Sequence, residues 1–209
     1  MSYQIKSIFY TLQGEGARAG RPSVFCRFAG CNLWSGREAH RSGAICQFCD
    51  TDFVGTDGPG GGTFRAAAEL ARAVAEAWPG GGAPYVVCTG GEPLLQLDAE
   101  LVAAFHERGF EVAVETNGTR EPPAGVDWLC VSPKAGAPLV LTRGDELKLI
   151  YPQAGLMPED LPEMAFRHYC LQPMDAGGEP DHTDAAAEYC LAHPQWRLSL
   201  QTHKYLGLP

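Results

Sequence analysis

With 209 residues the chain is long enough for one sizeable core, expected to span 1–209 as a single domain, yet short of the roughly 250 residues that a complete eight-fold β/α barrel needs. A formal net charge of -9 and a pI near 5.1 speak against a nucleic-acid-binding surface, no apolar run approaches the roughly 20 residues of a membrane span, and MSYQIKSIFY lacks the basic and apolar regions of a signal peptide. We therefore expect a cytoplasmic protein without a nucleic-acid or membrane partner, whose eight cysteines act as metal ligands and buried thiols and not as a disulfide framework.

In chain order, QIKSIFYTLQGEG opens as a strand and breaks at Gly14 and Gly16, leaving Gln13 and Glu15 on a glycine-flanked loop that either faces a ligand or is an ordinary solvated turn. A second strand spans Ser23–Phe28. Arg27 within it must find an anion or lie on an exposed face, and Cys26 reads as core. CNLWSGREAHRSGAICQFCDT follows, with fourteen residues between Cys31 and Cys46 and two between Cys46 and Cys49. A Cys-x-x-Cys pair puts two sulfurs on one tight turn, and a third thiolate from across the loop completes a site with one position left open. Structural zinc and a cluster held only by protein normally take four ligands, so three cysteines suggest a [4Fe-4S] cluster with one iron free for a small molecule. A zinc site with His40 as fourth ligand is the alternative.

A glycine-rich link at Gly58–Gly62 leads to a helix that Thr63 would cap, with Ala67, Leu70, Ala71, Val74 and Trp78 at helical spacing and a stop at Pro79–Gly80. Strands at Tyr85–Cys88 and Phe110–Val114 flank a helix from about Asp98 to Arg108. Further strands are expected at Asp127–Val131, Glu146–Ile150 and Arg167–Leu171, then a helix near Asp184–Ala192 and a last strand, Arg197–Gln201, running into HKYLGLP with no further element. Apolar strands alternating with amphipathic helices argue for parallel β/α units, with connections too short for a helix at every crossover. We expect an α/β fold, an incomplete β/α barrel with about six core strands and three main helices. In such a sheet the active residues collect beyond the carboxyl ends of the strands, where TGGEP (Thr89–Pro93), ETNG (Glu115–Gly118), SPK (Ser132–Lys134) and QPMD (Gln172–Asp175) fall. Each is also ordinary turn chemistry when taken singly. Cys88, Cys130, Cys170 and Cys190 lie in apolar strand or helix patterns and read as buried thiols.

Together these motifs resemble the radical S-adenosylmethionine (SAM) enzymes, and among them the 7-carboxy-7-deazaguanine synthase family. The resemblance runs from TLQGEG at Thr11 through CRFAGCNLW, CDT, TGGEP, ETNG, SPK and QPMD to HKYLGLP. TGGEP is shared across the superfamily, whereas TLQGEG, CDT and the carboxyl end are more particular. One departure is plain. The usual spacing between the first two cysteines is three residues, so residues 32–45 read as an insertion in the cluster loop.

The resemblance implies a lyase of queuosine and deazapurine biosynthesis, a tRNA modification pathway, that converts 6-carboxy-5,6,7,8-tetrahydropterin to 7-carboxy-7-deazaguanine with loss of ammonia. It implies a cluster on Cys31, Cys46 and Cys49, and SAM held by Phe48, Cys49, Asp50, Gly91, Glu92, Ser132, Pro133, Lys134, Gln172, Pro173, Met174 and Asp175. The pterin would contact Leu12, Gln13, Gly14, Glu15, Arg27, Thr89 and Pro209, and Mg2+ would sit on Thr51, with Asp50 and Asp52 as alternatives. Glu15 would accept from the amino-pyrimidine edge and Arg27 would pair with the carboxylate, with no catalytic side chain beyond the cofactors. A flavodoxin or ferredoxin as electron donor and a homodimer complete the expectation. Two readings compete: a zinc-stapled binding module, and an activating enzyme that takes a protein as its substrate.

Overall fold

The computed structural model describes residues 2–175 and 182–209. Buried and half-exposed side chains alternate along Tyr3–Leu12 (β1), which pairs antiparallel with Pro22–Phe28 (β2) on one side and with Gly62–Phe64 (β3) on the other. From β2 onward the sheet is parallel. It runs through Tyr85–Gly90 (β4), Glu111–Thr116 (β5), Trp128–Val131 (β6), Arg143–Tyr151 (β7), Ala165–Pro173 (β8) and Trp196–Leu198 (β9), in the order β3-β1-β2-β4-β5-β6-β7-β8-β9. The sheet is open, with β3 and β9 at its edges. Against the six or so core strands expected, the parallel part has seven, β2 and β4 to β9, with β1 and β3 antiparallel beside it.

Three helices cover the convex face: Ala67–Ala77 (α1), Ala99–His106 (α2) and Thr183–Ala192 (α3). Leu70, Ala71 and Val74 of α1 and Leu101, Val102 and Phe105 of α2 are fully buried against outward-facing strand residues such as Val86, Cys88, Val112 and Val114. The period of two then sends Tyr85, Val87, Ala113, Trp128 and Cys130 to the concave face. Both faces are buried, which accounts for a near-continuous apolar run such as YVVC. No α-helix stands between β5 and β8, as the short connections require.

The concave face is sealed at the amino ends of the strands by the loop between β1 and β2. Arg18 stacks 4.1 Å over the Trp128 ring and Arg21 3.7 Å over Tyr85, and both pair with Glu111. Gly16, at φ +68°, donates its N–H to Ser199 Oγ, while the next N–H, of Ala17, goes to Glu146 Oε2.

Two expectations need correction. Thr63 does not cap α1: the free edge of β1 captures residues 62–64 as β3, and Thr63 Oγ1 donates instead to Gln4 Oε1. The helix starts at Ala67, with no side chain capping its amino end. The last strand ends at Leu198, three residues early, and the chain turns into a short helix, Thr202–Leu206 (α4). The turn is forced by Gly14, whose carbonyl accepts from both the N–H and the Oγ1 of Thr202. Residues 199–209 thus cross from the β9 edge towards β1, where the Pro209 carbonyl accepts from Thr11 Oγ1.

A Cβ on Gly16 would fall 1.8 Å from Glu146 Oε1, in a backbone region that costs an L-residue about 1–2 kcal/mol even where space is free. Gly16→Ala should therefore lose about 3 kcal/mol and melt roughly 6–12 °C below the parent in thermal unfolding.

Candidate active site

A cavity of about 790 Å³ opens at the carboxyl ends of the strands and runs down the concave face to the β1–β2 loop. It is lined by Thr89, Gly90 and Gly91 at the end of β4, Glu115, Thr116 and Asn117 at the end of β5, Ser132 and Lys134 after β6, and Gln172, Pro173 and Asp175 at the end of β8. The cysteine loop contributes Cys31, Cys46, Phe48, Cys49, Asp50 and Thr51; the floor has Leu12, Gln13, Gly14, Glu15 and Arg27; and Pro209 closes one side. Of the expected residues, Glu92, Pro133 and Met174 do not reach the lining. The Pro133 carbonyl accepts from Gln153, and the Met174 N–H donates to the Tyr151 carbonyl.

The cysteine loop is held by a few local contacts. Residues 38–43 form a 3-10 turn, from which Arg41 donates to the carbonyls of Gln47 (2.9 Å) and Cys49 (3.1 Å) and lies 4.1 Å over the Trp34 ring. The N–H groups of Ile45 and Cys46 both donate to the Leu33 carbonyl, bringing the two ends of the insertion together. Gly91 packs flush beside the first cysteine: a Cβ there would lie 2.2 Å from the Gly30 carbonyl oxygen and 2.8 Å from Cys31 Cβ. His40 points elsewhere, exposed and paired with Ser35 Oγ at 2.9 Å. Among the described residues, no three His, Cys, Asp or Glu side chains gather closely enough to hold a single metal ion.

The cavity is electrostatically graded. A hydrogen bond from the Cys46 thiol to Cys49 pushes Cys46 well up, with burial adding to it, and pulls Cys49 down to about 6 against its own burial. Lys134, whose ammonium burial lowers, faces both sulfurs and donates to the Ser132 carbonyl (2.6 Å) and hydroxyl (2.8 Å). In the floor, Lys148 Nζ lies 2.5 Å from Glu15 Oε2 and 3.5 Å from Glu115 Oε2. Gln201 donates to Glu15 Oε1 (2.9 Å) and Gln13 to Glu115 Oε1 (2.8 Å). Arg27 faces the cavity with no carboxylate within ion-pair distance among the described residues, and burial lowers its guanidinium against the pull of Glu115, Asp50 and Glu15.

Glu92 is fully buried and works as a clasp. Its carboxylate accepts from Leu94 N–H (2.9 Å), Thr116 Oγ1 (2.8 Å) and Asn117 N–H (2.8 Å), tying the loop after β4 to the end of β5. Asn117 in turn donates to Asn32, beside Cys31. Above the cavity, Lys204 of α4 bridges Asp50 (2.8 Å) and Asp175, so the carboxyl-terminal segment links the cysteine loop to β8.

Glu115, Asn117, Lys148, Gln201, His203 and Lys204 also line the site, although the sequence reading assigned none of them to a ligand. Glu115 and Asn117 lie in the ETNG loop already placed on the rim. A signal for Lys148 exists in DELKLIY, where a lysine sits in an apolar strand in phase with Glu146 and Ile150, on the face opposite Leu147 and Leu149. No local pattern marks Gln201, whose partner is 186 positions away.

An open parallel sheet whose carboxyl-end cavity carries three cysteines on one loop is the architecture of a radical SAM protein. A model of the Radical SAM superfamily matches residues 40–145, beginning between the first two cysteines. The chain is 63% identical over its whole length, and the whole length of the relative, to 7-carboxy-7-deazaguanine synthase of Bordetella pertussis, and 62% identical on the same terms to that of Caulobacter vibrioides. The crystal structure of QueE from Escherichia coli superposes with a TM-score of 0.72 at 29% identity, covering 97% of this chain and 95% of that one. The chain belongs to the 7-carboxy-7-deazaguanine synthase family of the radical SAM superfamily.

Removing the Glu92 carboxylate leaves two backbone N–H groups and a hydroxyl without acceptors at a buried position. Glu92→Ala should cost about 3–5 kcal/mol in chemical denaturation, well above the roughly 1 kcal/mol of an average substitution.

Proposed function

We propose that the chain is a radical SAM lyase converting 6-carboxy-5,6,7,8-tetrahydropterin to 7-carboxy-7-deazaguanine with loss of ammonia, in queuosine or deazapurine biosynthesis. The observation that carries the reading is the grading of one cavity: three cysteines at its mouth, and at its base a guanidinium with no ion-pair partner among the described residues, beside carboxylates that can accept N–H donors.

The residues present fit the cofactors of this family. A structural zinc draws its ligands round one point, whereas a cubane spreads three thiolates over three separate irons. Cys31, Cys46 and Cys49 line one cavity, while His40 is exposed and engaged by Ser35, which supports a set of three thiolates without the histidine. Lys134 supplies a buried positive charge beside the sulfurs. The cluster and SAM, when bound, supply the one-electron cleavage that starts hydrogen abstraction.

The chain's own part is binding, orientation and exclusion of water. Gly91, Ser132, Lys134, Gln172, Pro173 and Asp175, with Phe48, Cys49 and Asp50, form the wall assigned to SAM. Glu92 stands behind that wall with three protein donors on its carboxylate, and Pro133 and Met174 make backbone hydrogen bonds there. Gln13, Glu15, Arg27, Thr89 and Pro209, with Leu12 and Gly14, surround the pterin position, and Arg27 is the partner for its carboxylate. For Mg2+, the Thr51 hydroxyl is the protein ligand: Asp50 is engaged by Lys204 and Asp52 by Lys6, and magnesium readily completes its shell with substrate oxygens and water. The reading also includes a cytoplasmic setting, a flavodoxin or ferredoxin as electron donor and a homodimer, all supported by family resemblance.

Anaerobic incubation of the reconstituted protein with SAM, reductant, Mg2+ and the pterin should yield the deazaguanine acid by mass spectrometry. A brown, cluster-loaded protein that cleaves SAM yet leaves the pterin untouched would refute the proposal. Cys49→Ala should abolish SAM cleavage. Arg27→Ala should raise the pterin KM roughly tenfold to a hundredfold while iron content stays at the parent level, as loss of one charge-assisted contact requires.

A further inference from the structure

We propose that Lys148 is a positioning residue of the substrate floor, fixing Glu15 and Glu115 as a paired acceptor surface for the adjacent N–H donors of an amino-pyrimidine edge. The inference rests on the pterin reading above and assigns a part to a residue that never needs to touch the ligand.

An ionised carboxylate offers about four lone-pair directions, two on each oxygen. In the floor each of the four oxygens has one protein donor: Gln201 and Lys148 on Glu15, Gln13 and Lys148 on Glu115. Each oxygen therefore keeps capacity for one donor more, and both residues line the cavity. That surface accepts and does not donate. It suits a ring edge of neighbouring N–H groups and rejects one of carbonyls.

Such a surface cannot exist without a cation. Glu15 and Glu115 come from different elements, the β1–β2 loop and β5, and share Lys148, which is 5% exposed. Facing Lys148 are also Glu146 on its own strand and Cys130 on β6; facing Glu15 are Arg27 on β2 and His203 on α4; Lys134 lies beyond them. Glu146 is not available as a third acceptor, being turned down to the Ala17 N–H and favoured by burial to hold a proton. Burial works to raise Glu15 too, but the charge and hydrogen bond of Lys148, with Gln201 and His203, bring it down to about 2. Burial alone would lower the Lys148 ammonium, and Glu115 and Glu15 outweigh it and hold it above its ordinary range.

The sign of the pH dependence follows. With Lys148 present, Glu15 stays ionised from neutrality down to about pH 3, so pterin affinity should be flat across the working range. With Lys148→Met, burial at Glu15 is opposed only by the weaker pull of Gln201 and His203, the carboxyl takes up a proton at a higher pH than in the parent, and an acceptor becomes a donor.

The test is calorimetric binding of 6-carboxytetrahydropterin to anaerobic, cluster-loaded protein between about pH 5.5 and 8, on the parent, Lys148→Met, Lys148→Arg and the pair Glu15→Gln/Lys148→Met. Iron content and thermal unfolding report folding. We expect Lys148→Met to bind about tenfold or more weakly near pH 6 and to recover affinity as the pH rises, Lys148→Arg to remain flat with a smaller loss, and the double variant to be weak but flat. Lys148→Met binding as the parent does, or a loss of equal size at every pH, would overturn the inference. Should Lys148→Met fail to load its cluster, the double variant, which removes one buried charge of each sign, carries the test. There a dependence on pH like that expected of Lys148→Met would overturn the assignment to Glu15. Carbon-13 NMR titration of the Glu15 carboxyl needs no ligand and separates this inference from the pterin reading. A Glu15 that titrates alike in the parent and in Lys148→Met sinks the inference, whereas a parent that binds no pterin sinks the reading.

Discussion

A buried ammonium cannot stand alone, and the lower half of this site is built around that constraint at Lys148. Isolating such a charge from water costs several kcal/mol unless partners arrive with good geometry. Here they arrive from the β1–β2 loop and from β5, and the network extends through Gln201 into the carboxyl-terminal segment. Satisfying one lysine therefore fixes the position of a loop, a strand end and a tail that are far apart in sequence. The requirement also explains why residues 13–18 are drawn into the concave face: Glu15 must reach Lys148, and Ala17 then satisfies Glu146 one step below on the same strand.

The upper half obeys a different rule. Near the cysteines the structural task is to bring loops into close contact without filling the space a ligand needs. Gly91 allows the loop after β4 to abut Cys31, and the buried Glu92 carboxylate then locks that loop to β5 through three donors. Asn117 passes the constraint on to Asn32, the residue after the first cysteine. The TGGEP and ETNG motifs thus form one hydrogen-bonded unit, held by the glutamate carboxylate.

What the sequence revealed and what it concealed divide along the same line. Strand and helix positions were readable because burial on two faces of a parallel sheet leaves apolar runs, and helices on one face leave a period near 3.6. The cysteine loop, Arg27 and the four rim loops were readable because chemistry of low frequency, such as a charge in an apolar strand, has few bland explanations. Thr63 misled because a serine or threonine before a helical pattern is an ordinary cap signal, and only tertiary pairing with β1 overrides it. Gln201 and Lys204 stayed hidden because their partners, Glu15, Asp50 and Asp175, lie 186, 154 and 29 positions away. The turn into α4 depends on a carbonyl of Gly14, which no local pattern encodes.

The cysteine loop fits the same energetic logic. Closing fourteen residues between the first two cysteines costs about 1.4 kcal/mol more entropy than closing three, by polymer arguments, so the segment needs contacts of its own. Arg41 provides them: two charge-assisted hydrogen bonds to carbonyls within the Cys-x-x-Cys turn, and a stacking contact with Trp34. At about 1.5–3 kcal/mol for a buried bond to a charged group, and less where water competes, even a discounted pair offsets the closure term. Those bonds end on Gln47 and Cys49, so the added residues steady the very turn that carries two of the three sulfurs. A segment that merely looped out could not do so, and with these contacts the three cysteines line one cavity across the fourteen-residue spacing.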